Sequence, residues 1–227
     1  MSKGVGLALF APVSEAVTYL IDKLGQSRDL RGAVLELGCG PKKERPGSIG
    51  VDIADWPTVD IVGDAGELLE SLPDGLVSEI YAAHMFEHLD SIDIVSACAR
   101  VLAVGGVLSV VVPHFSNPYF FSDPTHRQPF GLYTFSYLAE ESLFRRRVPR
   151  YSVIPSLELV DVRLKFKAAR PFYLRYAVGK VIEELVNLGR WTQELYESHF
   201  VYLFPCYELR YRLVKRPPAD QAKIAHE

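Results

Sequence analysis

The 227 residues suffice for one large domain, and their 48% hydrophobic and 23% charged content supplies a core with a soluble surface. A net charge of −3 argues against a general nucleic-acid binder, which carries a basic surplus, so no DNA partner is expected. No run reaches the roughly 18 uninterrupted apolar residues of a spanning helix. Three widely spaced cysteines, Cys39, Cys98 and Cys206, make no disulfide framework and fit a reducing, cytoplasmic setting. The start, Met1 to Phe10, lacks the long apolar core of a signal peptide.

In chain order, residues 14–24 predict an amphipathic helix with Ser14 as N-cap and Gly25 as stop. The apolar run 33–37 ends at Gly38 and predicts a buried strand, and 48–53 predicts the next. Between them Gly-Pro-Lys-Lys-Glu-Arg-Pro-Gly (40–47) is too short and too proline-rich for a crossover helix. Residues 59–62 predict a short strand, 66–72 a helix, 78–83 a strand, and 85–102 a helix with apolar spacing at Ile92, Val95, Ala99 and Leu102. Gly105-Gly106 leads into the apolar strand 107–112. A loop follows over 113–133, and loops of that length inside a domain are more often functional than idle. Helix is predicted over 134–144, strand over 157–166, helix over 173–200, strand over 207–214, and a polar tail over 217–227.

Alternating strands and helices predict a mostly parallel sheet covered on both faces. Ligands bind outside the carboxyl ends of such strands, which puts the loops after residues 37, 53, 63, 83 and 112 on one edge. The whole reads as one domain over 1–216, with acceptor-side elements at 113–150 and 170–206.

Glu36-Leu37-Gly38-Cys39-Gly40 follows the first buried strand, and its glycines allow close backbone approach to a ligand. A dinucleotide site is disfavoured, because Lys43 occupies the third glycine position, no helix follows, and Asp52 comes early. With Val51-Asp52, Gly63-Asp64-Ala65, Glu87-His88-Leu89 and the strand after Leu102-Ala103-Val104-Gly105-Gly106, the bend resembles the S-adenosylmethionine (SAM) motifs of class I methyltransferases over roughly residues 33–113. The resemblance implies a Rossmann-like, doubly wound, seven-stranded sheet with an antiparallel C-terminal strand and, here, a shortened first crossover. It implies a SAM site made by Glu36, Gly38, Cys39, Gly40, Asp52, Ile53, Asp64, Ala65 and His84. In it Glu36 supports the loop, Asp52 accepts from the ribose hydroxyls, and Asp64 and Ala65 border the adenine. The plain alternative is a tight turn with a capping aspartate. The short crossover and the loop Asp123-Pro124-Thr125-His126 with Phe130 are similar to a methyltransferase type 11-like branch associated with glycan and polysaccharide biosynthesis.

Four of six histidines, His84, His88, His114 and His126, fall on the predicted active edge. His84, Glu87 and His88 at i, i+3 and i+4 share one helical face and are suited to a metal. The arrangement is similar to the Glu-x-x-Glu-His element of small-RNA 2′-O-methyltransferases and ubiquinone-pathway O-methyltransferases, which implies a divalent ion with His126 or His114 completing the site. Histidine in place of glutamate favours Zn²⁺, Fe²⁺ or Mn²⁺ over Mg²⁺. Without metal, the same pair shapes the pocket by local hydrogen bonds, and His114 or His126 becomes the general base, with His88 a further catalytic candidate. Each of these histidines has a purely structural alternative. His-x-x-Glu-His also matches an inverted zinc-peptidase motif, with Glu183 or Glu184 as a third ligand.

The aromatic residues Phe115, Tyr119, Phe120, Phe121, Phe130 and Tyr133 suit an acceptor lid or a core. Arg127 and Arg145–Arg147 suit a phosphate contact or a solvated face. Residues 173–204 suit core packing, an oligomer contact or a peripheral membrane contact. The expected activity is methyl transfer from SAM to a hydroxyl of a sugar, glycan precursor or similar small molecule, against a non-catalytic SAM binder.

Overall fold

The structure is a computed structural model describing residues 19–89, 91–140, 143–149, 154, 156–168 and 170–217. Two short strands, β1 (Tyr19–Ile21) and β2 (Ser27–Asp29), form an antiparallel ribbon of their own. The main elements follow as β3 (Val34–Leu37), β4 (Ile49–Asp52), β5 (Ile61–Val62), α1 (Ala65–Ser71), β6 (Val77–Ala83), α2 (Ser91–Val101), β7 (Leu102–Pro113), β8 (Leu157–Lys165), α3 (Tyr173–Val186), α4 (Arg190–Leu195) and β9 (Glu208–Lys215). The seven-stranded sheet has the order β5-β4-β3-β6-β7-β9-β8. Every pairing from β5 to β7 is parallel, whereas β9 runs antiparallel to both β7 and β8. This is the Rossmann-like α/β fold expected, with the last strand inserted antiparallel.

Strands β3, β6 and β7 are central and bury Leu35, Leu37, Ile80, Ala82, Leu108, Val110 and Val112 completely. That is why they read as nearly continuous apolar runs. The chain leaves β3 toward β4 on one side and returns to β6 on the other. The switch point, where such sheets bind ligands, therefore lies at the carboxyl ends of β3 and β6.

The short crossover is real: β3 passes to β4 without a helix. Glu36, 2% exposed, holds the replacement loop by accepting from the Glu44 amide (2.6 Å), the Arg45 amide (3.0 Å) and the Ser48 hydroxyl (2.8 Å). The loop then covers part of the sheet face a helix would have covered. Arg45 lies 4.3 Å from the centre of the Tyr81 ring, and the Tyr81 hydroxyl donates to Glu44 (2.6 Å). Lys43 is a strut that donates to Asp60 and to the Ser48 carbonyl. Gly50 lies beneath it, where a Cβ would sit 2.6 Å from Lys43 Cε and 2.8 Å from the buried Cys39 Sγ, so a larger residue there would displace the strut.

Three helical expectations are corrected. Residues 19–21 of the expected 14–24 helix form β1, and 14–18 lie outside the described residues. Asp22 accepts from the amides of Leu24 and Gln26, and Gly25 at φ 74° turns the chain into β2, so the glycine that reads as a helix stop makes a hairpin. The helix expected over 85–102 begins only at Ser91, after a 3₁₀ turn, Phe86–His88. Of the helix expected over 134–144, the structure has the 3₁₀ turn Thr134–Tyr137, with 141 and 142 outside the described residues. The helix expected over 173–200 is present in two pieces, α3 and α4, broken at 187–189 and ending in a π-helical turn, Tyr196–Phe200. Among the described residues no helix is long and apolar enough to cross a membrane.

Candidate active site

At the switch point lies a cavity of about 480 Å³, within the usual range for small-molecule sites. Its walls come from the ends of β3, β4, β5 and β6. Gly38, Asp52, Ile53, Asp64, Ala65 and His84 line it, joined by Met85, His88, Leu89 and Ile94, which bring in the loop after β6 and helix α2.

Each wall has a local cause. Gly38 (φ 63°) and Gly40 (φ 56°) take the left-handed conformation that bends the chain off β3. A Cβ on Gly38 would lie 3.1 Å from Met85 Cβ, so the two switch-point loops touch there. Asp52 closes the bend with both oxygens, one accepting from the Gly40 amide and one from the Ala54 amide, each at 2.8 Å. A carboxylate offers about four acceptor sites, so two remain for a ligand. Asp64 is the N-cap of α1 and accepts from the amides of Gly66 and Glu67. Glu36 and Cys39 sit behind the cavity. The Glu36 oxygens belong to the 41–48 loop, and burial pushes the Cys39 thiol up to about 11.

The histidines separate into three environments. His114 is fully buried. Its Nδ1 accepts from the Ser116 amide (3.0 Å), so its proton sits on Nε2, which meets Glu197 Oε2 at 3.2 Å. Glu197 also accepts from the Leu132 amide (2.8 Å). His114 thus clamps the loop to the π-helical turn and presents no free lone pair, which corrects its candidacy as a base.

His84 leaves β6 at φ 54°, unusual for a side-chain-bearing residue. Its Nε2 lies 3.6 Å from Glu208 Oε2 and its Nδ1 3.5 Å from Glu87 Oε1. Glu208 and then Glu87 hold the imidazole protonated, raising its pKa to about 9. The left-handed backbone takes His84 off the helical face assumed for it, and the residues whose ligand atoms come together are Glu87, His88 and His126. His84 instead lines the cavity, paired with two carboxylates.

His88 and His126 differ. Thr125 Oγ1 donates to Asp123 (2.6 Å) and so accepts from His88 Nδ1 (2.9 Å). His126 Nδ1 lies 2.8 Å from the Phe120 carbonyl, which can only accept. The network assigns a proton of each ring to Nδ1; among the described residues neither Nε2 makes a hydrogen bond, and that of His126 lies 3.7 Å from Asp123 Oδ2. The carboxylate of Glu87, 1% exposed, has one oxygen, Oε2, with no hydrogen-bond partner. One ligand atom each from Glu87, His88 and His126 lies within 4.8 Å of the others. A buried carboxylate oxygen without a partner costs free energy unless a cation or donor meets it, so these residues fit a divalent ion.

The aromatic loop also divides. Phe120 and Phe130 are core, whereas Tyr119 and Phe121 face solvent. Glu183 is committed to Lys165, Lys180 and the Phe166 amide, away from the histidines, which removes it as a peptidase ligand. The sequence reading missed Glu208, completely buried at the start of β9. It accepts from Lys167 (2.6 Å) and Arg210 (2.9 Å) and faces His84. Beyond Arg210, two residues along β9, its partners His84 and Lys167 come from the ends of two other strands, so the chain gives little local signal for it.

No protein-family model matches the chain, and no curated protein matches it. Among solved structures, it is similar to a SAM-dependent methyltransferase from Archaeoglobus fulgidus, with 22% identity, a TM-score of 0.49, and coverage of 82% of this chain and 88% of that one. It is also similar to a geranyl diphosphate methyltransferase in complex with SAM, with 15% identity, a TM-score of 0.47, and coverage of 82% and 78%. Likenesses this distant add nothing to the chemistry of the site, which rests on its own residues.

Proposed function

We propose that this chain is a SAM-dependent O-methyltransferase acting on a hydroxyl of a sugar, glycan precursor or similar small molecule. The observation that carries the reading is the cavity at the switch point: a glycine bend after β3, with Asp52 and Asp64 at the ends of the next two strands. In this reading the Asp52 lone pairs left by Gly40 and Ala54 accept from the ribose hydroxyls, Asp64 and Ala65 border the adenine, and Gly38 lies under the methionine portion. The acceptor oxygen forms a bond to the methyl carbon as the carbon–sulfur bond breaks, and the sulfonium leaves as a neutral thioether. The acceptor proton passes to an imidazole Nε2, and His126, with His88 beside it, is the base so oriented.

The partnerless oxygen of Glu87 favours a metal-assisted form of the same reaction. Glu87, His88 and His126 would hold a divalent ion, with the two imidazoles favouring Zn²⁺, Fe²⁺ or Mn²⁺. Such an ion would supply Lewis acidity that lowers the pKa of a bound hydroxyl; in this form the two Nε2 atoms would hold the ion instead of acting as base, and the acceptor proton would pass to solvent.

Calorimetric titration with SAM and with its demethylated product, followed by transfer of labelled methyl to a panel of hydroxyl acceptors, tests the reading. Binding of both ligands with turnover on a hydroxyl acceptor is expected. Absence of binding by either ligand rejects it, and binding without turnover on any acceptor favours a non-catalytic SAM binder.

A further inference from the structure

A second cavity, of about 330 Å³, opens on the same carboxyl edge of the sheet. It lies between Pro118-Tyr119 after β7, Lys167 after β8, Phe172 and Arg175 at the start of α3, and Tyr207 just before β9. Three of its walls are aromatic: Tyr119, Phe172 and Tyr207. Two of its side chains are cationic, and none of the lining residues is acidic.

The charge there is only partly neutralised locally. Lys167 donates to Glu208 and lies 5.2 Å from the Tyr207 ring centre. Glu208 is, however, already shared with Arg210 and His84. Lys167 and Arg210 therefore share this carboxylate with His84, which is also paired with Glu87. Arg175 is exposed, and no carboxylate lies within ion-pair distance of it among the described residues. Phe172 caps α3 without a side-chain hydrogen bond, and the first turn holds no acidic residue, so the 14-residue helix adds positive potential to the same wall. In a chain of net charge −3, this is a local positive excess facing an open hollow.

The two cavities are neighbours. His84 lines the first, Lys167 lines the second, and Glu208 stands between them, 3.6 Å from one and 2.6 Å from the other. The two cavities are therefore separated by one side chain, which is hydrogen-bonded to a residue of the second and faces a residue of the first.

We propose that the second cavity is the acceptor's phosphate subsite: it takes the phosphate of a phosphorylated sugar, with Lys167 and Arg175 on the anion and Tyr119, Phe172 and Tyr207 against the ring. Phosphate oxygens suit a lysine and an arginine lining one hollow, and aromatic faces suit the C–H face of a sugar ring. The proposal rests on the methyltransferase reading for what happens next, but not for the binding itself.

The test is calorimetry on the full-length protein with glucose 1-phosphate and UDP-glucose as probes, glucose as the uncharged control, and SAM in a parallel titration. Glucose 1-phosphate or UDP-glucose is expected to bind, more weakly at higher salt, with glucose at least tenfold weaker. Tighter binding of UDP-glucose would identify a diphosphate linkage, and the reverse a monophosphate. Arg175→Gln should weaken the phosphorylated probes about tenfold, the loss of one charge-assisted bond, and leave SAM affinity within twofold. Arg175 is exposed, so this variant tests the subsite without disturbing the Glu208 cluster, whereas Lys167→Gln tests both. Failure of both phosphorylated probes to bind, or an Arg175→Gln affinity equal to that of the unmodified protein, overturns the subsite. Loss of SAM binding with phosphate binding retained overturns the methyltransferase reading and leaves the subsite standing.

Discussion

The rings of His88 and His126 lie 4.8 Å apart, centre to centre, and each gives its Nδ1 proton to a fixed acceptor, the Thr125 hydroxyl for one and the Phe120 carbonyl for the other. Two imidazoles from segments 38 residues apart therefore present basic nitrogens to one spot, beside a buried carboxylate oxygen that has no partner. Orientation by such outer contacts is what a metal pair or a general base requires.

Elemental analysis after growth with supplemented Zn²⁺, Fe²⁺ or Mn²⁺ should find a bound divalent ion, and His88→Ala should lose it. Metal-free protein after supplementation would reject the ion and leave the two histidines as an acid–base pair.

Replacing His126 by alanine should lower turnover by about 10²–10⁴-fold, the usual contribution of general acid–base catalysis, while SAM affinity stays nearly constant. Steady-state rates beside calorimetry check this, and undiminished turnover dismisses His126.

Asp52→Ala should weaken SAM binding by about 1–3 kcal/mol through loss of hydrogen bonds to a charged acceptor. The Gly40 and Ala54 amides lose their partner too. Asp52→Asn, which keeps one acceptor oxygen, should recover part of the affinity. Calorimetry that finds the same affinity in all three proteins removes Asp52 from the site.

Gly38→Ala meets two obstacles, a left-handed backbone at φ 63° and the Met85 side chain at 3.1 Å. Together they should destabilise the fold by about 1–3 kcal/mol. Adding Met85→Ala removes the Cγ and Sδ contacts at 3.2 Å but leaves the Cβ contact and the backbone strain, so denaturation of the double variant should reveal only partial recovery of the alanine-specific penalty.

Stability should also respond to acid through Glu208. Burial raises the pKa of this carboxyl, but His84, Lys167 and Arg210 outweigh burial and bring it to about 2, against an ordinary 4.5. A carboxyl lowered on folding contributes stability in full above about pH 4.5 and loses it as the pH falls through 2. Glu208→Gln should therefore be less stable than the unmodified protein near neutral pH by on the order of 3 kcal/mol, with the gap closing toward pH 2. Urea denaturation across that range measures it, and a gap that does not change with pH would assign Glu208 a role other than charge pairing.

Much of the molecule was legible in its residue order. Val34–Leu37, Ile49–Asp52, Val77–Ala83 and Leu102–Pro113 are strands buried in a parallel sheet, and such strands write themselves as apolar runs. The bend at Gly38 and Gly40, the missing crossover helix and the single edge that gathers the loops follow from glycine, proline and strand polarity, which are local or topological properties. What the order of residues could not decide was which side chains meet across that edge. His84, His88, His114 and His126 look equivalent in the chain. Yet tertiary contacts make the first a cation between two carboxylates, the third a buried clamp, and the other two a ring pair held through Nδ1 by Thr125 and the Phe120 carbonyl. Glu208 and Lys167, on separate strand ends, had little local pattern. Protonation and pairing depend on charges a few ångströms away in space, and only folding brings those charges together.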